Sequence, residues 1–303
     1  MDRFRKYMEK EVRDINIVCV SANFGGNVNG AQYGAQKLLE HNFEILSQNI
    51  KIYNVDFQSI LFNKIPNKYG MNNCSQVVEV NKKVYENVKK ILFEDNFPII
   101  IGGDHSISAG SVMAISEKYD NLGVIWIDAH ADFNDEDITN TGNMHGMSLS
   151  AICGYGPNCM IDYSKGKIIK RRNVVIIGGR DFEPKEIEKL NNLGIKYYLM
   201  SDIRKMGIKA VFEETKNYLM QNNRYIHVSF DIDSISPEYA PGTGTPVADG
   251  FNIEEIDYLM SELVCLPELV SMDIVELNPL LDMDNKTINI ANNILNKFIK
   301  KEH

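Results

Sequence analysis

The stretch Gly123-Val124-Ile125-Trp126-Ile127-Asp128-Ala129-His130-Ala131-Asp132-Phe133-Asn134 decides the fold. A continuous apolar run ends in three potential metal ligands, Asp128, His130 and Asp132, at every second position. A short apolar run with no polar alternation reads as a strand buried on both faces, as in a parallel sheet. In extended backbone, residues i, i+2 and i+4 point to one side. The three side chains are therefore expected to converge just beyond the strand. Two carboxylates and an imidazole there suit a divalent ion such as Mn2+ or Zn2+.

Outward from this stretch, strand and helix patterns alternate. Strand patterns cover 15–20, 50–57, 97–101, 123–127, 173–177, 196–200, 224–230 and 269–275. Apolar residues at helical spacing cover 31–46, 77–93, a segment ending near Tyr119, 147–152, 184–193, 209–220, 254–263 and 287–301. This alternation predicts an α/β fold: a three-layer α/β/α architecture around a mostly parallel sheet of about eight strands. The length allows two domains. No Pro/Ser-rich linker, repeat or low-complexity tract divides the chain, so residues 1–303 are expected to form a single domain.

Open sheets of this kind bind ligands beyond the carboxyl ends of their strands. Three ligand-like clusters lie there: Asp104-His105 after 97–101, the Asp128/His130/Asp132 trio, and Asp231/Asp233 after 224–230. A lone Asp after a strand is usually a cap or turn residue, the reading given to Asp104 and Asp181. His227, in mid-strand, is expected to be a hydrogen-bonded core residue. The remaining set is His105, His130, Asp128, Asp132, Asp231 and Asp233. Four clustered carboxylates repel one another unless cations balance them. One divalent ion leaves a surplus of negative charge, whereas two balance it. Two-metal sites place their ions about 3.5–4 Å apart and turn a bridging water into a nucleophile near neutral pH.

The bulk properties exclude several classes. A net charge of -9 with no basic block argues against a nucleic-acid partner. The amino-terminal MDRFRKYMEKEVRD lacks the apolar core of a secretory signal, and no apolar run approaches a membrane span. Five scattered cysteines, an odd number, read as reduced thiols in a cytoplasmic protein. The glycine-rich segment from Asn23 to Gly30 matches neither GxGxxG nor GxxxxGK[ST]; it reads as a flexible loop at the mouth of a site.

GGDHS at 102–106, DAHADFN at 128–134 and SFDIDSISPEYAPGTGTPV at 229–247 resemble the ureohydrolase superfamily, which includes arginase, agmatinase and formimidoylglutamase. Within it, TGNMHG at 141–146, GRDFEPKE at 179–186 and ELNP at 276–279 are most similar to arginase. The resemblance implies two Mn2+ per chain, one held by His105, Asp128, Asp132 and Asp231, the other by His130, Asp128, Asp231 and Asp233. It implies that Asn134, Thr141 and Asn143 face a substrate α-carboxylate and that Glu183 and Glu186 handle its α-amino group. Thr245 and Glu276 would lie beside the guanidinium. Asp132 would carry a proton to the leaving nitrogen, with His145 as proton shuttle. The implied reaction is hydrolysis of L-arginine to L-ornithine and urea by a metal-bridging hydroxide, in a homotrimer or homohexamer. Alternatives are agmatine or another guanidino or formimino substrate, or a non-catalytic homologue, whose mark would be lost ligands. Three departures from the arginase pattern stand out: Glu183 in place of Asp, Thr141 in place of Ser, and Gly34-Ala35 in place of Gly-Pro.

Overall fold

The structure is a computed structural model that describes residues 14–42, 45, 50–57 and 65–300. The charged leader up to residue 13, residues 43, 44 and 46 of the expected helix end, and the last residues from 301 lie outside the described residues. The strands are β1 (Ile15–Ser21), β2 (Ile52–Asp56), β3 (Phe97–Ile101), β4 (Leu122–Ile127), β5 (Val174–Gly179), β6 (Lys196–Leu199), β7 (Tyr225–Asp231) and β8 (Leu269–Val275). They form one sheet in the order β2-β1-β3-β8-β7-β4-β5-β6. Every neighbouring pair is parallel, so the sheet is wholly rather than mostly parallel.

Between and around the strands run α1 (Gly34–Glu40), α2 (Cys74–Phe93), α3 (Ser108–Lys118), α4 (Ser148–Ile152), α5 (Pro184–Leu193), α6 (Met200–Met206), α7 (Ile208–Met220), α8 (Ile253–Val264) and α9 (Lys286–Lys300). They cover both faces. Val18, Ile100, Val124, Trp126 and Ile176 belong to the core shared with α2, α3 and α4. Their strand neighbours Ile17, Ile99, Ile101, Ile125, Ile127 and Val175 belong to the core shared with α1, α7, α8 and α9. This explains why β4 reads as an unbroken apolar run: both faces of its pleat are buried. Each large side chain so buried contributes roughly 1.5–3 kcal/mol.

The helix expected over 31–46 opens instead as a 3-10 turn, Ala31–Tyr33, and α1 closes at Glu40. The strand expected over 196–200 stops at Leu199, and Met200 opens α6 at once. Asp202 ends the strand by accepting from Leu199 N at 3.1 Å, satisfying a first-turn donor. Among the described residues, no helix is long and apolar enough to cross a membrane.

The site-forming approach of β3 to β1 depends on Gly103. A Cβ at that position would lie 1.5 Å from Ala22 O, so the backbones approach too closely for any side chain. Just beyond, Asp104 caps the turn His105–Ile107, accepting from Ser106 N at 3.0 Å and Gly25 N at 3.1 Å, as a cap residue should. His227 is also the core residue expected, with Nδ1 2.9 Å from Ser271 Oγ.

Candidate metal centre and its cavity

The ligand-type residues do meet, though not by strand alternation. β4 ends at Ile127, and Asp132 lies in the left-handed region at φ 50°. Asp231 is the last residue of β7, and Asp233 sits in the following turn, Ile232–Ser234. Turns beyond the strand ends, rather than period-two geometry, bring the six side chains together.

Two groupings result. His105 Nδ1 lies 3.1 Å from Asp128 Oδ2, 3.0 Å from Asp132 Oδ2 and 3.0 Å from Asp231 Oδ2. His130 Nδ1 lies 3.0 Å from Asp233 Oδ2 and 3.6 Å from Asp128 Oδ1. Asp128 thus presents one oxygen to each group. The triads His105/Asp128/Asp132 and Asp128/His130/Asp233 each converge closely enough to hold an ion. Buried His105 Nδ1 and Asp132 Oδ2 make no ordinary hydrogen bond, which is what aiming at a cation rather than at a protein partner would leave. An oxygen-rich set with one imidazole per group suits Mn2+ or a similar divalent ion.

The surroundings fix these groups. Ser229 Oγ lies 2.8 Å from His105 Nε2, which turns Nδ1 toward the carboxylates. Trp126 stacks on the His105 ring at 4.1 Å and donates from Nε1 to Asp128 Oδ2 at 2.9 Å. Arg180 donates to six backbone carbonyls: Gly178, Asp233, Ser234, Ile235, Val247 and Ala248. It thereby clamps the turn carrying Asp233 to the segment carrying Thr245. Ser229, Trp126 and Arg180 lie inside the quoted motifs but were given no role, because each acts on a partner that only the fold brings near.

The electrostatics follow from burial and crowding. Burial raises the Asp231 carboxyl well above its usual range, reinforced by Asp233 and Asp128. Burial, then Asp128, pushes Asp132 up to about 6. Asp128 falls below its usual range because His105 and His130 outweigh its burial. Both imidazoles are pulled down by burial but held well above their ordinary value by the carboxylates around them.

A cavity of about 170 Å³ opens above this floor. Asn134, Thr141, Asn143, His145, Glu183, Glu186 and Thr245, all expected at the site, line it. Thr245 Oγ1 donates to Asp233 Oδ2 at 2.9 Å. Glu183 Oε1 accepts from Asn134 Nδ2 at 3.5 Å. Glu186 gives both carboxylate oxygens to backbone, accepting from Phe133 N and Glu183 N at 3.0 Å each, and burial lifts its carboxyl to about 7. Its role in the structure is to join α5 to the strip after β4. Glu276, buried behind the lining, accepts through Oε1 from His105 N at 2.9 Å and pairs with His145 Nδ1 at 3.0 Å. Burial lowers the His145 imidazole, but Glu276 and then Asp132 outweigh it and raise it to about 9.

Further residues join the wall. Asp181, read as a turn residue, lines the cavity with Oδ2 3.6 Å from His130 Nε2. Asn27 brings the glycine-rich loop to the rim, as its position at a site mouth suggested, and Thr139 lies beside Thr141.

Comparison with known proteins follows the same lines. The family model described as "Arginase family" matches residues 13–300. The arginase of Staphylococcus aureus strain COL is 40% identical over 230 residues, covering 76% of each chain. The solved arginase of Bacillus caldovelox superposes with a TM-score of 0.88 at 31% identity, covering 96% of this chain and 99% of that one. The Entamoeba histolytica arginase, solved in complex with L-ornithine, gives a TM-score of 0.85 at 27% identity, covering 94% and 98%.

Proposed function

From the premise that this chain belongs to the arginase family, and so to the hydrolases of linear amidine C–N bonds, we propose that it hydrolyses L-arginine to L-ornithine and urea using two Mn2+. The observation that carries this reading is the cavity's chemical asymmetry. Its floor is the six-ligand cluster, while its rim sets the neutral donors Asn134, Thr141 and Asn143 near the carboxylates of Asp181 and Glu183. An α-amino acid end needs both kinds of partner, donors for its carboxylate and an anion for its ammonium. The L-ornithine complex of the Entamoeba histolytica relative supports the same end group.

His105, Asp128, Asp132 and Asp231 would hold one ion; His130, Asp128, Asp231 and Asp233 would hold the other. Bound there, the ions would balance the carboxylates and acidify a water toward neutrality. The protein's own residues supply the rest. Glu276 Oε1 is committed to His145 and His105, leaving Oε2 to orient the guanidinium. Thr245, tied to Asp233, would flank it. Attack at the guanidinium carbon forms the new C–O bond, and the C–N bond to the side chain then breaks. Both protons of the water end on the leaving amine, which departs as ammonium. Asp132 would carry the first. His145, its Nδ1 held by Glu276, would relay the second through Nε2. Because Glu186 is committed to backbone donors, Glu183 and Asp181 are the better placed carboxylates for the α-ammonium. The additional methylene of Glu183 extends its reach to Asn134 and Asn140.

Urea release from a panel of L-arginine, agmatine and other guanidino acids, after loading with Mn2+, tests this proposal. L-arginine should be preferred by well over tenfold in kcat/KM, since agmatine leaves Asn134, Thr141 and Asn143 without a carboxylate. A preference for agmatine would overturn the substrate assignment. Absence of turnover with two ions bound would favour a non-catalytic role.

A further inference from the structure

One pair of reactive side chains lies outside the reaction just described. Cys74 opens α2, and Cys159 lies in the turn Asn158–Met160 that packs against that helix. They are 85 residues apart in sequence, yet their Sγ atoms are 3.2 Å apart. A disulfide needs about 2.05 Å, so an approach of roughly 1 Å would join them. Both residues are half-buried, whereas Cys19 and Cys153 are buried.

The positions of the two thiols give such a bond something to act on. Just before Cys74, Asn72 N donates to Gly142 O at 2.7 Å, and its Nδ2 donates to Thr141 O and Asn143 Oδ1 at 3.0 Å each. On the other side, the segment leading to Cys159 contains Tyr155, whose carbonyl accepts from Lys189 Nζ at 2.8 Å. That same ammonium pairs with Asp135. The two thiols therefore lie beside the two supports of the segment that carries Asn134, Thr141 and Asn143.

We propose that Cys74 and Cys159 form a reversible intrachain disulfide, a redox-modification site that ties together the two supports of the cavity rim. The oxidant class is a hydroperoxide. Either sulfur can attack the peroxide first, and the route through Cys74 stands for both. In the first step the Cys74 sulfur takes one oxygen, the O–O bond breaks, and the hydroperoxide leaves as an alcohol or, from hydrogen peroxide, as water. The Cys74 sulfenic acid then condenses with the Cys159 thiol: the S–O bond breaks, the S–S bond forms and one water leaves. Two thiols have lost two electrons and the peroxide has gained them. A dithiol reductant reverses the change. The bond would close a covalent loop around His105, Asp128, His130 and Asp132. A loop of that length predicts a rise in Tm of about 5–8 °C.

The test uses the full metal-loaded chain, treated with stoichiometric hydrogen peroxide, alkylated and digested. Mass spectrometry should find the Cys74 and Cys159 peptides joined, two hydrogens lighter than the separate thiols, and separated again by dithiothreitol. The oxidised wild type should melt higher than the reduced one. Cys159→Ser should abolish both the link and the Tm rise while melting, under reductant, with the reduced wild type. Recovery of the two cysteines as separate alkylated or over-oxidised peptides would overturn the proposal. So would a linked pair whose Tm matches that of the reduced wild type. The wild-type comparison stands alone if the variant fails to fold, and none of these readouts depends on the substrate assignment.

Discussion

Loading the metal-free chain with Mn2+ at pH 7 should release about two to three protons per chain. The number comes from the ligand geometry. His105 Nδ1 faces three carboxylate oxygens at 3.0–3.1 Å, an arrangement that is favourable only with a proton on that nitrogen. His130 Nδ1 faces Asp233 in the same way at 3.0 Å. Burial opposes both charges, but the carboxylates outweigh it and hold both imidazoles well above their ordinary value. Each metal-free histidine therefore carries a proton at pH 7 that an incoming ion must displace. Asp132, at about 6, adds roughly a tenth of a proton. Asp231, raised by burial and then by Asp233 and Asp128, adds up to one more. The sign follows: the metal-free state binds more protons, so acid weakens the metal. Each ion's apparent affinity should fall about tenfold per pH unit below neutrality. Calorimetric titration in two buffers of different ionisation enthalpy counts the protons directly. Trp126, the single tryptophan, stacks on His105, so its fluorescence should follow the same titration. Release of fewer than about one proton per chain would show that the histidines are neutral without metal and would refute the reasoning.

Three other perturbations probe different parts of the structure. Asp128→Ala should empty both ion sites, because its two oxygens face different groups, whereas His145→Ala should keep both ions and slow turnover; atomic absorption on the purified variants decides, and metal loss in the His145 variant would contradict the assignment. Arg180→Lys should cost about 2–4 kcal/mol in urea unfolding, since a lysine cannot reproduce a planar fork on six carbonyls, and should weaken the ion held by Asp233; an unchanged midpoint would remove Arg180 from its clamping role. Asn81→Ala should cost about 1–3 kcal/mol, because it strips Gly110 N of its 2.6 Å acceptor in the buried contact of α2 and α3; a loss below about 0.5 kcal/mol would mean that the contact relaxes around the gap.

The fold was legible where burial writes itself into composition. β4 and β5 are buried on both faces, so their sequences are continuous apolar runs whose ends could be placed to within two residues. α2 and α9 bury one stripe, and their apolar spacing shows it. α6 was not legible, because it begins where β6 stops and its start signal, Asp202 on Leu199 N, looks like any surface aspartate. The candidate metal ligands were visible because six such residues at strand ends have few other uses. Their supports were not. Ser229 becomes a partner of His105 only when β7 and β3 are placed on either side of β8. The Cys74–Cys159 contact likewise joins segments with no shared local pattern.

The residues picked out by period-two spacing do meet, but through turns beyond the strands, and the difference bears on chemistry. Had 128–132 continued as strand, its three ligands would stand in a row along one face, at a spacing of about 6.5–7 Å from i to i+2. A single ion could not collect them. Instead Asp132 turns into the left-handed region at φ 50°, and Glu276 does so at φ 63°. Each costs on the order of 1–3 kcal/mol and persists only if neighbours enforce it. The enforcement is visible: Asp132 O accepts from Leu149 N and Ser150 N at 3.1 and 3.2 Å, and Glu276 N donates to Gly103 O at 2.8 Å. The first tie anchors the Asp132 ligand to α4; the second anchors the His145 partner to the same glycine that lets β3 approach β1. Two of the eight described non-glycine residues with positive φ are thus ones whose carboxylates turn off the line of the preceding strand, one toward His105 and one toward His145. Substituting Asp132 by Ala would remove a ligand and leave a β-carbon in a conformation it disfavours, so its stability cost should exceed that of Asp132→Asn in the metal-free chain, where no ion contributes to either.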